Sequence, residues 1–73
     1  MKSLSDEKII ETSRKYHLDP SSMKCKAFVL FDQGYSVAEV CYLLRKYQDP
    51  DNPRGYRASM RKYYSLWNKA KPA

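Results

Sequence analysis

The sequence is short of the groups on which most small-protein chemistry depends. Its 73 residues hold two cysteines, Cys25 and Cys41, and one histidine, His17. Two cysteines are too few for a disulfide-stapled scaffold. With no Cys-x-x-Cys pair and a single imidazole, a zinc site lacks its ligands. Both cysteines therefore read as reduced, small apolar core residues, with a Cys25–Cys41 bridge between neighbouring helices as the alternative. His17 reads as a helix-end residue favoured by the dipole, not as a ligand. No spacing of Ser, His, Asp or Cys suggests a nucleophile with its base and orienting group. A chain this short buries only about 60% of the surface its unfolded form exposes. It cannot wall off a deep pocket and keep a core as well, so an enzyme, a cofactor and a small-molecule substrate are not expected.

Other absences narrow the class further. The longest uncharged apolar stretch is residues 27–31, far too short to cross a membrane. The opening Met1-Lys2-Ser3-Leu4-Ser5-Asp6-Glu7 contains no apolar run, so no signal peptide is expected. There is no internal repeat, low-complexity tract, long linker or alternating strand pattern. What is present is globular. Hydrophobic residues make up 42% of the chain, too many for a disordered tail. The aromatics, seven Tyr, two Phe and one Trp, let few side chains build a core, and most of the tyrosines are expected half-buried.

Acid is missing from one end only. Residues 1–53 carry the bases Lys2, Lys8, Arg14, Lys15, Lys24, Lys26, Arg45 and Lys46, balanced by Asp6, Glu7, Glu11, Asp19, Asp32, Glu39, Asp49 and Asp51. Residues 54–73 carry Arg54, Arg57, Arg61, Lys62, Lys69 and Lys71 with no acid, which accounts for the whole net charge of +6. A neutral body with a basic tail end is the electrostatic footprint of a polyanion binder.

Turn and cap signals divide the chain into four helices, so the expected fold is one all-α domain over residues 1–73. The first helix spans about 5–17, with Ser5 as cap and Ile9, Ile10, Ser13 and Tyr16 on one thin apolar face. Asp19-Pro20 ends it. The second spans about 22–33, with a stripe of Met23, Ala27, Leu30 and Phe31 broadened by Phe28 and a left-handed Gly34 to close it. The third spans about 36–46. Ser36 and Glu39 form a capping box, and Val37, Val40, Cys41 and Leu44 make its apolar face. The fourth spans about 53–70, with Asn52 as cap and Pro53 at the first position. Asp49-Pro50 offers an earlier start and Tyr56, after Gly55, a later one. Tyr56, Met60, Tyr63, Trp67 and Ala70 form its inward stripe. Tyr35 and Tyr64 fall off the main stripes.

Three stretches carry a resemblance. Ala27-Phe28-Val29-Leu30-Phe31-Asp32-Gln33-Gly34-Tyr35-Ser36 looks like the first helix and glycine corner of a tri-helical helix-turn-helix domain of the homeodomain-like or recombinase type. Val37-Ala38-Glu39-Val40-Cys41-Tyr42-Leu43-Leu44 looks like its second helix. Ala58-Ser59-Met60-Arg61-Lys62-Tyr63-Tyr64 is similar to its recognition helix. Such domains occur in site-specific recombinases, transposases, phage terminase small subunits and many repressors. The resemblance implies a tri-helical core with an added N-terminal helix. The turn before a recognition helix is normally three or four residues, whereas here residues 47–52, or as far as Gly55, intervene.

The expected function is a small DNA-binding regulator or recombination accessory factor whose last helix contacts the major groove of double-stranded DNA. Arg57 and Arg61, four apart on one outward line with Ser65, are the base-contact candidates, since Arg pairs bidentately with guanine. Arg54, Ser59, Lys62, Lys69 and Ser36 are the phosphate-contact candidates. Trp67 and the tyrosine stripe read as core in preference to a base-stacking platform. The expected location is the cytoplasm at the nucleoid, or a nucleus in a eukaryote. Two other readings compete. A protein-interaction adaptor or inhibitor would dock the basic helix on an acidic partner. The thin face of the first helix, with Leu4, Tyr42 and Leu43, could then serve a partner or a homodimer. RNA binding through exposed Tyr and Arg is the third.

Overall fold

In the computed structural model the described residues are 4–72; Lys2, counted above in the neutral body, lies outside them. They form four α-helices and no strand: α1 (Asp6–Tyr16), α2 (Met23–Asp32), α3 (Val37–Leu43) and α4 (Pro53–Ala70), with a 3₁₀ turn at Arg45–Tyr47. The all-α domain expected from the sequence is what forms.

Each helix starts where a side chain can occupy its free amides. Ser5 Oγ accepts from Lys8 N, Ser22 Oγ from Cys25 N, and Asn52 Oδ1 from Gly55 N. Ser36 and Glu39 form the reciprocal capping box. The two Asp-Pro segments are built alike. Asp19 O accepts from Ser22 N at 3.0 Å, and Asp49 O accepts from Asn52 N at 3.1 Å. Each closes a turn with Pro at its second position and the next helix's cap at its fourth. Asp49-Pro50 is thus a turn, not a helix start, and α4 begins at Pro53. Gly55 suits that start, because a Cβ there would collide with the capping carboxamide of Asn52.

The helix ends differ more from expectation. At the end of α2, Gly34 takes φ +93°, and the bonds Gly34 N to Phe31 O and Tyr35 N to Leu30 O make a Schellman closure. Helix α1 stops at Tyr16, before Asp19-Pro20, because His17 turns left-handed at φ 57°. Helix α3 stops at Leu43, not near residue 46. Its last carbonyls find side chains in place of further helix: Tyr56 Oη donates to Cys41 O at 2.6 Å, and the Arg45 guanidinium donates to Tyr42 O at 2.8 Å. The chain then tightens into the 3₁₀ turn.

Helix α2 is the centre of the molecule. A single stripe was expected, yet Cys25, Ala27, Phe28, Val29, Leu30 and Phe31 are all buried. The reason is that α2 is covered from two sides. Against α1, Phe28 and Tyr16 form a T-shaped pair at 5.0 Å and the Cys25 thiol donates to Ile9 O at 3.5 Å. On the other side, Ala27, Leu30 and Phe31 join Val40 and Leu44 of the α3 segment and Met60 of α4. Burying each large apolar side chain contributes about 1.5–3 kcal/mol, so this cluster carries much of the fold. Both cysteines are free thiols. On α1 the buried face is Thr12 and Ser13, with the Ser13 hydroxyl satisfied by Ile10 O at 2.7 Å. Ile10, expected on that face, is 46% exposed.

Candidate nucleic-acid interface

The basic helix α4 is fixed to the body at three places. Met60 is fully buried, with Tyr56, Tyr63 and Trp67 half-buried around the same core. Tyr56 bonds to the end of α3 as described, and burial pushes its phenol above the usual tyrosine range. Near the far end, the Trp67 indole N–H donates to Asp32 Oδ1 at 2.7 Å, while its ring lies 5.7 Å from Phe31. Trp67 is therefore a packing residue whose polar edge is already engaged. Ala70, expected to finish the inward stripe, is exposed at the last position of α4. Tyr64, off the stripe, still meets Phe31 at 5.2 Å.

Asp32 is where three helices are tied. It receives Trp67 from α4, the Tyr16 hydroxyl from α1 at 2.7 Å, and the Lys15 ammonium at 3.3 Å. Burial alone would raise its carboxyl; the bonds from Trp67, Tyr16 and Lys15 outweigh that and hold it below the usual range.

These anchors leave the opposite side of α4 in solvent. At about 100° per residue, Arg57, Arg61, Arg54, Ser65, Lys69 and Lys62 follow one another around the helix within an arc of roughly 140°. All six are exposed. Among the described residues the one ion pair is Lys15–Asp32, so no carboxylate neutralises any cation on this arc. Asn68, not among the contact candidates, falls inside the same arc and is exposed. Lys71, just past the helix, lies over the Trp67 ring at 4.9 Å.

Two sequence candidates stand apart from this face. Ser59 is half-buried and lines a cleft on the inner flank of α4 with Tyr47, Tyr56, Met60 and Tyr63. Ser36 spends its oxygen on Glu39 N at 3.2 Å and its own N–H on the Glu39 carboxylate at 2.9 Å. The Ser36 amide thus already holds a carboxylate, that of Glu39.

A second feature of the face is not legible in the sequence. Arg57 and Arg61 flank a cleft of about 270 Å³ between α3 and α4, completed by Val37, Ala38 and Cys41. Burial raises the Cys41 thiol, while the charges of Arg57 and Arg61 pull the other way. Both arginines line the α4 side of the cleft. Among the described residues there is no cluster of His, Cys, Asp and Glu able to hold a metal ion, and no helix is long and apolar enough to cross a membrane. Compared with known proteins, the chain matches no family model, no curated protein and no solved structure.

Proposed function

We propose that this chain binds double-stranded DNA through the outward arc of α4, as a small regulator or recombination accessory factor acting where DNA is kept, in the cytoplasm or a nucleus. The observation that carries the reading is the arc itself: Arg54, Arg57, Arg61, Lys62 and Lys69 exposed on one side of one helix with no acid paired to them. A helix with its side chains is about 10–12 Å across and the major groove is about 12 Å wide, so such a face can enter it. Arg54, Arg57, Arg61, Ser65, Lys62 and Lys69 make up the proposed contact set. Ser59 and Ser36 are left out for the reasons given above. The resemblance to helix-turn-helix domains agrees with this reading. It is not its basis, because the connection over residues 44–52 is longer than the turn of those domains.

Titration of a labelled duplex at two salt concentrations tests the proposal. Four or five neutralised phosphates give a salt slope of roughly −4, so affinity should fall about 250-fold between 50 and 200 mM salt. Absence of binding at 50 mM salt would sink the proposal.

One observation favours a second reading as a protein-interaction adaptor. Ile10 and Tyr47, 46% and 42% exposed, line the same cleft of about 790 Å³ between α1 and the 3₁₀ turn. If Arg57→Ala with Arg61→Ala left duplex affinity intact while Ile10→Asp abolished capture of a protein partner, the adaptor reading would replace the first.

A further inference from the structure

The cleft between α3 and α4 adds a specific role to the proposed DNA-binding face. We infer that it is a phosphodiester seat: one backbone phosphate of a bound duplex lodges between the Arg57 and Arg61 guanidiniums, against the wall formed by Ala38 and Cys41. The inference rests on the DNA-binding reading of α4 and assigns roles within it.

Three observations lead there. First, Arg57 and Arg61 stand one turn apart at the α3 edge of the arc, and neither has a carboxylate partner among the described residues. Like charges at that spacing repel; an anion placed between them turns the repulsion into two charge-assisted contacts. Second, the space between them is open, and the residues opposite are small. Ala38 and Cys41 leave about 270 Å³, several times the roughly 30 Å³ a water molecule takes up, so a phosphate group fits with part of its water. Third, the walls offer no competing acid. The cleft is lined by Val37, Ala38 and Cys41 besides the two arginines, and Glu39 is turned back on the Ser36 amide.

This placement changes what the two arginines do. A guanidinium engaged at the edge of the arc, beside α3, positions the duplex without reading its sequence. Base contacts then fall to the middle of the arc, where Arg54 and Ser65 stand. Sequence spacing gives the base contacts to Arg57, Arg61 and Ser65 and a phosphate to Arg54; the seat exchanges the arginines and keeps Ser65.

Cys41 supplies the readout. It is half-buried in the cleft, whereas Cys25 is fully buried with its thiol on Ile9 O and serves as the unreactive internal control. The rate of alkylation of Cys41 by N-ethylmaleimide is measured on the folded chain alone, with saturating 20-base-pair duplex at 50 mM salt, and with 10 mM inorganic phosphate. The duplex is expected to slow Cys41 labelling at least tenfold, and inorganic phosphate to slow it less than twofold. Arg57→Ala and Arg61→Ala are each expected to lower the salt slope by about 0.9 and to weaken unrelated duplex sequences by the same factor. Both side chains are exposed, so circular dichroism should show the fold retained. Unchanged Cys41 labelling on a duplex that demonstrably binds would overturn the seat and leave the DNA-binding reading standing. So would an unchanged slope with lost discrimination between sequences. Protection by inorganic phosphate equal to that of the duplex would reassign the cleft to a free anion and also overturn the inference. Failure of any duplex to bind would remove both readings together.

Discussion

Phe31→Ala is expected to bring the domain close to unfolding. The ring is 1% exposed at the centre of the core, and truncating a buried phenylalanine costs about 3–5 kcal/mol in lost transfer energy and cavity formation. A domain of 73 residues has roughly 4–11 kcal/mol of stability at typical values per residue, so this one change removes much of it. For a domain of this size the midpoint of thermal unfolding should fall by roughly 15–30 °C, read by circular dichroism. The position matters as much as the volume. Tyr64 and Trp67 of α4 both lie against the Phe31 ring, at 5.2 and 5.7 Å. The same residue that fills the core therefore supports the basic helix, and duplex affinity should decline along with stability. A loss of less than 1 kcal/mol would mean that α4 does not depend on this contact.

The second large effect is expected at Asp32. Its side chain is 24% exposed, and its partner Lys15 is 43% exposed, so the ion pair itself contributes little. The bonds from Trp67 and Tyr16 matter more. Hydrogen bonds to a charged group contribute about 1.5–3 kcal/mol each before allowance for solvent. Asp32→Ala is therefore expected to cost about 2–3 kcal/mol in total, and Asp32→Asn less, because its amide oxygen still accepts. The pH dependence follows from the direction of the shift. The folded carboxyl titrates below its unfolded value of about 3.9. Its contribution is thus complete above that pH and is lost as pH falls through the lower, folded value. At the other end, burial and the bond to Asp32 hold the Tyr16 phenol above its ordinary value near 10. That contribution is present below the ordinary value and is lost as pH rises through the raised one. Chemical denaturation of wild type and Asp32→Ala at a series of pH values checks this. The wild-type curve should fall more steeply below about pH 4 than the variant's, which keeps only the contribution of Asp19, whose carboxyl the bonds from Ser21 also hold low. Parallel curves would rule out Asp32 as the clamp.

The two cases also mark the limit of what the sequence made legible. Starts of helices were readable because capping is local: Ser5, Ser22, Ser36 and Asn52 each bond an amide three residues on. Gly34 was readable for the same reason. The end of α3 was not, because the groups that take its last carbonyls include Tyr56, fifteen residues away. The burial of α2 on both sides was missed because a stripe analysis assigns one neighbour to a helix, and α2 has α1 on one flank and α4 on another. No local signal marks Asp32, because its partners Tyr16 and Trp67 lie 16 and 35 residues away. On α4 the charged arc was visible from periodicity alone, and all of Arg54, Arg57, Arg61, Lys62, Ser65 and Lys69 are exposed. Ser59 and Ser36 stand apart from the arc for different reasons. Ser59 sits at the edge of the inward stripe, where a residue's burial depends on what packs beside it. Ser36 lies at the start of α3, engaged in its capping box with Glu39. The cleft of Arg57, Arg61 and Cys41 depends on how α3 crosses α4, which no local pattern encodes.

The central claim is that the arc of α4 is the surface that meets DNA. It is tested most directly by the backbone amide spectrum of the isotope-labelled chain during titration with a short duplex. Shifts should concentrate on residues 54–69, with smaller ones at Ala38 and Cys41 across the cleft, and α1 should stay unmoved. Shifts concentrated on α1 around Ile10, with α4 unchanged, would contradict it.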